Sequence, residues 1–228
     1  MRTLIVPAAD LLLGARCAGC GGPALVLCRD CGTLIRPDPV VVPVPPTAVG
    51  LRRPTRVRAV ASGAHAAVLR RVVLAWKEDG VSRLTDVLAH HLAAAVVPHV
   101  ATRHPVLLVP VPTSRRSRRA RGTDLVDELA HSAARLLRST GLEVGVEQAL
   151  GYTRVTRDQA GLDAEARRSN VDGAFSSRRT GRRSGGDIVV VDDIWTTGAT
   201  SVEAVRALTA AGRRPIGISV IAATPRRS

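Results

Sequence analysis

Four cysteines fall within fifteen residues, as Cys17-x-x-Cys20 and Cys28-x-x-Cys31. Each pair can present two thiolates from one tight turn, and two pairs complete a tetrahedral shell for Zn²⁺. Gly19, Gly21, Gly22 and Gly32 supply the backbone conformations that such knuckles need. A full thiolate shell leaves no open position on the metal, so the expected role is structural. Two local disulfides or four reduced thiols are the alternatives, and a reducing compartment disfavours the disulfides. The second run is Val190-Val191-Asp192-Asp193-Ile194-Trp195-Thr196-Thr197-Gly198-Ala199-Thr200. An apolar stretch ends in two carboxylates, and a Thr/Gly turn then opens a helix. Backbone N–H groups at that helix start, aided by the Thr hydroxyls, form an anion cradle. Gly198 lets the backbone approach a phosphate closely. Two carboxylates beside such a cradle repel its anion unless they accept hydrogen bonds from sugar hydroxyls or share a Mg²⁺. A phosphorylated sugar meets all three demands. The run is not a Walker loop, because Lys77, the only lysine, is followed by Glu78. Helix capping explains the Asp or Thr residues singly, but not the whole run.

Strands and helices must position these groups. Residues 57–63 read as a strand and 65–77 as a helix. Residues 83–97 set Leu84, Val87, Leu88, Leu92 and Val96 along one helical stripe. The apolar run 106–111 has the character of a buried parallel strand. Residues 124–139 again carry helical spacing, through Leu125, Leu129, Ala133 and Leu136. A short strand is expected near 143–149, then a polar stretch without period at 151–186. A buried strand at 188–192, a helix at 201–212 and a strand at 215–223 complete the pattern. The alternation predicts an α/β domain over 57–228, a parallel sheet with helices on both faces. The knuckle occupies 1–36, and a Pro/Val-rich linker with extended pieces follows at 37–56. Ligands of such sheets bind beyond the carboxyl ends of the strands. The chemistry is therefore expected after 106–111, 143–149 and 188–192. His90, His91 and His131 fall on predicted helices without a partner motif and read as partly exposed helix residues.

Composition excludes several classes. The 228 residues are 45% hydrophobic, too apolar for intrinsic disorder. No uncharged apolar run of about 18 residues suggests a membrane span. The N-terminal stretch has one early Arg and an apolar segment broken by Asp10, unlike a secretory signal, so a cytoplasmic location is expected. The net charge of +14 is almost all arginine, which matches phosphate oxygens bidentately. Codon usage in a G+C-rich genome yields the same excess, along with the abundant Ala, Gly, Pro and Val. Two Trp, one Tyr and one Phe are too few for the stacking platform of a single-strand binder. Residues 115–121 hold five Arg and no acid, just past a predicted strand end. A solvated basic face is the commonest fate of such a run, with a minority of its Arg on ligand.

Several segments together carry a resemblance. VVVDDIWTTGAT (189–200) is similar to the phosphoribosyl-pyrophosphate (PRPP) motif of type I phosphoribosyltransferases. The knuckle, Lys77 in LAWKEDG, LLVPVPTSRRSRRARG (107–122), TRVTRDQAGLDAEARRSNVDGAF (153–175) and this motif occur in the order seen in the ComF family, ComFC/GntX-like proteins. The resemblance spans nearly the whole chain. It implies a zinc finger leading into a phosphoribosyltransferase-type α/β domain. Asp192 and Asp193 would then hold the ribose hydroxyls, partly through Mg²⁺, and Thr196, Thr197, Gly198, Ala199 and Thr200 would wrap the 5′-phosphate. Pro112, Thr113 and Ser114, with Arg115 and Arg116, would meet pyrophosphate. The stretch 153–170, with Arg154, Arg157, Gln159, Arg167, Arg168 and Asn170, matches the family's mobile loop. Such a lid excludes water from an oxocarbenium-like ribose, and Arg154 and Arg157 would stabilise the departing pyrophosphate.

One departure is Arg121-Gly122-Thr123-Asp124, where the family shows RGFNQ-type residues; Asp124 can still cap the next helix. Trp195 is placed toward the acceptor. The function implied is transfer of ribose 5-phosphate from PRPP to a nitrogenous base, with release of pyrophosphate. The alternative is an accessory protein of DNA uptake, its knuckle and Arg-rich surfaces touching single-stranded DNA or a helicase. A redox role for the CxxC pairs is weaker, since two pairs so close together fit zinc better. No residue declares itself a general base from sequence.

Overall fold

The computed structural model describes residues 15–44, 57–100, 104–114, 122–153, 171–177 and 186–225. The chain begins with the cysteine turns and a short helix, α1 (Arg29–Leu34), followed by strand β1 (Val40–Val42). Strand β2 (Arg58–Ala61), helix α2 (Ala67–Lys77) and helix α3 (Leu84–Val96) come next. Then follow β3 (Val106–Pro110), α4 (Leu125–Ser139), β4 (Val144–Val146) and a small hairpin, β5 (Leu150–Tyr152) with β6 (Phe175–Ser177). The chain closes through β7 (Asp187–Trp195), α5 (Ala199–Ala210) and β8 (Pro215–Ala223).

Six strands form one sheet in the order β1-β2-β8-β7-β3-β4, parallel except for β1. Its centre is β7 beside β8, two apolar runs buried on both faces, the pattern that helix-covered parallel strands require. Alternate residues of β7 serve opposite faces. Val189 and Val191 join Val72, Leu88 and Leu129 of α2, α3 and α4, whereas Val190 joins Phe175, Val205 and Leu208 of the hairpin and α5. Among the described residues, no helix is long and apolar enough to cross a membrane. The fold is thus mixed α/β, with a mostly parallel central sheet, helices on both faces and a four-cysteine cluster near the N-terminus.

Several expected boundaries move. β7 runs through Trp195, three residues past its expected end, because Ile194 and Trp195 keep pairing with Ala222 and Ala223. Asp192 and Asp193 therefore lie inside a strand rather than in the loop after it. α5 starts at Ala199, two residues early. The strand expected at 143–149 shrinks to Val144–Val146, and the stretch read as aperiodic holds β5 and β6, too short to show a period. The linker contributes β1, antiparallel on the sheet edge. His91 is buried, not partly exposed, and lies 3.0 Å through Nδ1 from Ser62 Oγ, while His90 and His131 are exposed.

Candidate functional site

Asp192 and Asp193 sit on the strand with the longest partner register, and both residues are nearly buried, 8% exposed. Successive residues of a strand face opposite ways, so the two carboxylates find different partners. Asp192 Oδ1 accepts from the Asp193 N–H at 2.9 Å and Oδ2 from Ser201 Oγ at 3.0 Å. Asp193 Oδ1 accepts from the Ile194 N–H at 2.7 Å, and Oδ2 lies 2.5 Å from Lys77 Nζ. Burial, and then the Asp193 charge, push the Asp192 carboxyl up to about 7 against the pull of its hydrogen bonds and of Lys77. The pair is an oriented acceptor set, and among the described residues the cation in contact with it is Lys77, the last residue of α2.

Beyond the pair, residues 196–198 turn the chain into α5. Gly198 is the N-cap, with φ of 75°, and no side chain caps the helix there. Ala199 N–H donates to Thr197 Oγ1 at 3.3 Å, and no acid occupies the first turn. The helix start thus keeps the positive end of its dipole facing the turn. Trp195 is buried with its ring beneath Gly198, so it floors the turn rather than reaching toward an acceptor. Gly198→Ala is expected to disrupt this corner twice. The left-handed φ costs about 1 kcal/mol in alanine, and the added Cβ collides with the Trp195 ring. A melting temperature lowered by several degrees, with anion affinity at the turn lost, is the result expected from thermal melts and phosphate titration. An unchanged melt and unchanged affinity would show that the turn tolerates a side chain.

The neighbouring strand β3 delivers residues 112–114, each half-buried. Thr113 N–H donates to Asp124 Oδ2 at 3.1 Å, and Tyr152 Oη–H donates to Pro112 O at 3.1 Å. Asp124 also caps α4 by accepting from Asp127 N–H, as expected. One carboxylate therefore fixes both the helix and the loop before it. The Thr113 hydroxyl is buried without a hydrogen-bond partner among the described residues, so this loop holds an unmet polar group beside the acid pair's strand. The hairpin is pinned to α5: Glu203, buried, accepts from Phe175 N–H and pairs with Arg206, which also donates to Phe175 O. Arg115, Arg116, Arg154, Arg157, Gln159, Arg167, Arg168 and Asn170 lie outside the described residues.

The cysteine cluster is built separately. Cys17, Cys20, Cys28 and Cys31 bring their Sγ atoms within 4.8 Å of one another. Tetrahedral Zn–S bonds of 2.3 Å place sulfurs about 3.8 Å apart, the separation of Cys20 from Cys28. Cys17 Sγ accepts from Gly19 N–H at 3.3 Å and Cys28 N–H at 3.2 Å, and Cys28 Sγ accepts from Cys31 N–H. Burial opposes ionisation of Cys17, but these backbone donors outweigh it and bring the thiol to about 6; burial and the facing thiols raise Cys31. Four such sulfurs share a thiolate state only around a cation, so the donor set fits a bound metal ion and is compatible with structural zinc. Gly19 is required by close approach: a Cβ there would stand 2.7 Å from Cys31 Sγ and 2.8 Å from Val68 Cγ1. The knuckle thereby packs on α2, and Arg71 Nε bonds Gly19 O across the contact.

Ser201, His65 and the contact of Lys77 with Asp193 escape a reading by motif. Lys77 was conspicuous as the lone lysine, yet 116 positions of sequence separate it from Asp193, and only the fold joins them. No protein-family model matches the chain, and no curated protein matches it.

Proposed function

We propose that the chain binds PRPP in a phosphoribosyltransferase-type site and transfers ribose 5-phosphate to a nitrogenous base, releasing pyrophosphate, in the manner of a ComF-like protein. The observation that carries this reading is the buried acid pair on β7 immediately before a turn into α5 whose N-cap is a glycine and whose first turn holds no acid. A polyol that is also a phosphate ester satisfies both at once: hydroxyls donate to Asp192 and Asp193, and the 5′-phosphate meets the N–H groups and hydroxyls of residues 196–200. The unmet Thr113 hydroxyl and the pinned 112–114 loop supply the pyrophosphate side. Pyrophosphate departs as the anomeric carbon gains positive character, and donors placed in advance at that loop stabilise the developing charge.

The acid pair does not fit a directly ligated Mg²⁺. Lys77 Nζ, 2.5 Å from Asp193 Oδ2, holds the position a dication would need, while each carboxylate oxygen takes a single protein donor and keeps a second lone pair for a ligand hydroxyl. The pair fits a ligand that donates hydroxyl hydrogens. The four cysteines hold a structural Zn²⁺ in this reading, remote from the reaction.

Calorimetric titration with PRPP tests the proposal. Wild type is expected to bind, and Asp192→Asn/Asp193→Asn to lose at least about 100-fold in affinity, since each lost charged hydrogen bond is worth about 1.5–3 kcal/mol. Absence of binding by folded wild type, or equal binding by the double variant, would overturn it.

A further inference from the structure

His65 stands at the carboxyl edge of the sheet, in the turn between β2 and α2. Its N–H donates to Ala223 O at 2.7 Å, and Ala64 bridges Ala223, the residue of β8 that pairs with Trp195. This anchoring fixes the His65 backbone beside the end of β8, at the same edge of the sheet as the acid pair. The side chain is in electrostatic reach of Asp193, Lys77 and Arg70. Its Nε2 is buried and has no hydrogen-bond partner among the described residues. The turn is itself held in an uncommon shape, because Ala67 adopts a φ of 43°. A left-handed alanine persists only where its surroundings impose it.

The strand order gives the position meaning. β3, with the 112–114 loop, flanks β7 on one side, and β8 then β2 flank it on the other. His65 is therefore about two strand spacings, roughly 10 Å, from the acid-pair strand, on the flank away from that loop. When configuration at an anomeric carbon inverts, the incoming group enters from the face opposite the leaving group. For an inverting transfer with pyrophosphate over β3 and ribose over β7, as proposed above, the base's side of the site is β8 and β2.

We infer that His65 Nε2 hydrogen-bonds the nitrogenous base, making His65 the specificity-determining residue on the acceptor side of the site. This rests on the sugar-phosphate reading above and adds the recognition element that sequence motifs leave unnamed. A buried imidazole nitrogen without a protein partner costs free energy that a ligand nitrogen or carbonyl recovers. Burial, then the nearby Arg70 charge, lower the ring's pKa, which keeps it neutral with one donor and one acceptor nitrogen, the complement of a heteroaromatic base edge.

The probes are ribose 5-phosphate and the four common ribonucleoside 5′-monophosphates, which add a base to the same sugar phosphate. Wild type is expected to bind at least one nucleotide roughly tenfold tighter than ribose 5-phosphate. His65→Ala should erase that increment while holding ribose 5-phosphate within about twofold, and His65→Gln, which keeps an amide near the Nε2 position, should restore part of it. If ribose 5-phosphate does not bind wild type, the sugar-phosphate reading itself falls. If it binds but no nucleotide binds tighter, or the increment survives in His65→Ala, the inference about His65 falls alone. Loss of ribose 5-phosphate binding in His65→Ala would make the residue structural and likewise overturn the inference.

Discussion

Asp192→Asn is expected to melt higher than wild type at pH 8 while binding sugar phosphate far more weakly. Asp192 is nearly buried, and its carboxyl is raised from the ordinary 3.8 to about 7, first by burial and then by the Asp193 charge. A carboxyl whose pKa is higher folded than unfolded binds its proton more tightly in the folded state. Its contribution is fully present below about pH 4 and is lost as pH rises through about 7. At pH 8 wild type therefore bears the cost of a buried charge that the amide lacks. An Asn side chain still accepts from Asp193 N–H, and its NH₂ can donate to Ser201 Oγ, so neither partner is stranded. The gain is of order 2–4 kcal/mol, or roughly 5–10 °C. It should vanish toward pH 4, where wild-type Asp192 is protonated. Thermal melts from pH 4 to 8.5 give the check, and parallel slopes for the two proteins would refute the argument. On the proposed sugar-phosphate reading the lost affinity follows from the same atoms, since a carboxylate has two oxygens to accept sugar hydroxyls where an amide offers one. A variant more stable yet unable to bind is the signature of a charge kept for a ligand rather than for the fold.

Periodicity carried the large elements because each has one dominant burial direction. Of the α3 stripe, Leu84, Leu88, Leu92 and Val96 are buried and Val87 is half-buried, and β3 and β8 lie where their apolar runs place them. The two acids misled the boundary of β7. Asp reads as a turn former, yet each carboxylate here accepts from the next backbone N–H, so the strand absorbs both and continues to Trp195. Strands of three residues, such as β5 and β6, are shorter than any window in which alternation can register. Cys17, Cys20, Cys28 and Cys31 were legible because local spacing alone sets their geometry. Lys77 and His65 were not, since their relation to Asp193 passes through the order of strands in the sheet.

If the cysteines hold zinc and the acid pair binds sugar phosphate as proposed, chelation, or replacing Cys31 with Ala, is expected to lower the melting temperature by roughly 10 °C and to weaken that binding. Among the described residues the knuckle has little apolar core of its own. Cys17, Ala24, Cys31 and Ile35 share one cluster with Val68, Leu69 and Val72 of α2. Four thiols drawn together without a cation repel once they ionise, so the metal's binding free energy is folding free energy for these turns. Their unfolding strips cover from one side of α2, and a loss of about 3–5 kcal/mol corresponds to the stated shift. α2 carries Lys77 at its C-terminal end, so loosening the helix withdraws the cation paired with Asp193. Metal analysis should find about one Zn²⁺ per chain in wild type and none in Cys31→Ala. Hydrogen exchange over Ala67–Lys77 should rise on chelation in step with the fall in affinity. A chelated protein that melts and binds as before would mean that the cysteines support neither the fold nor the site. The opposite signs of this variant and Asp192→Asn on stability, with the same sign on binding, separate the scaffold that holds the acid pair from the charge it holds.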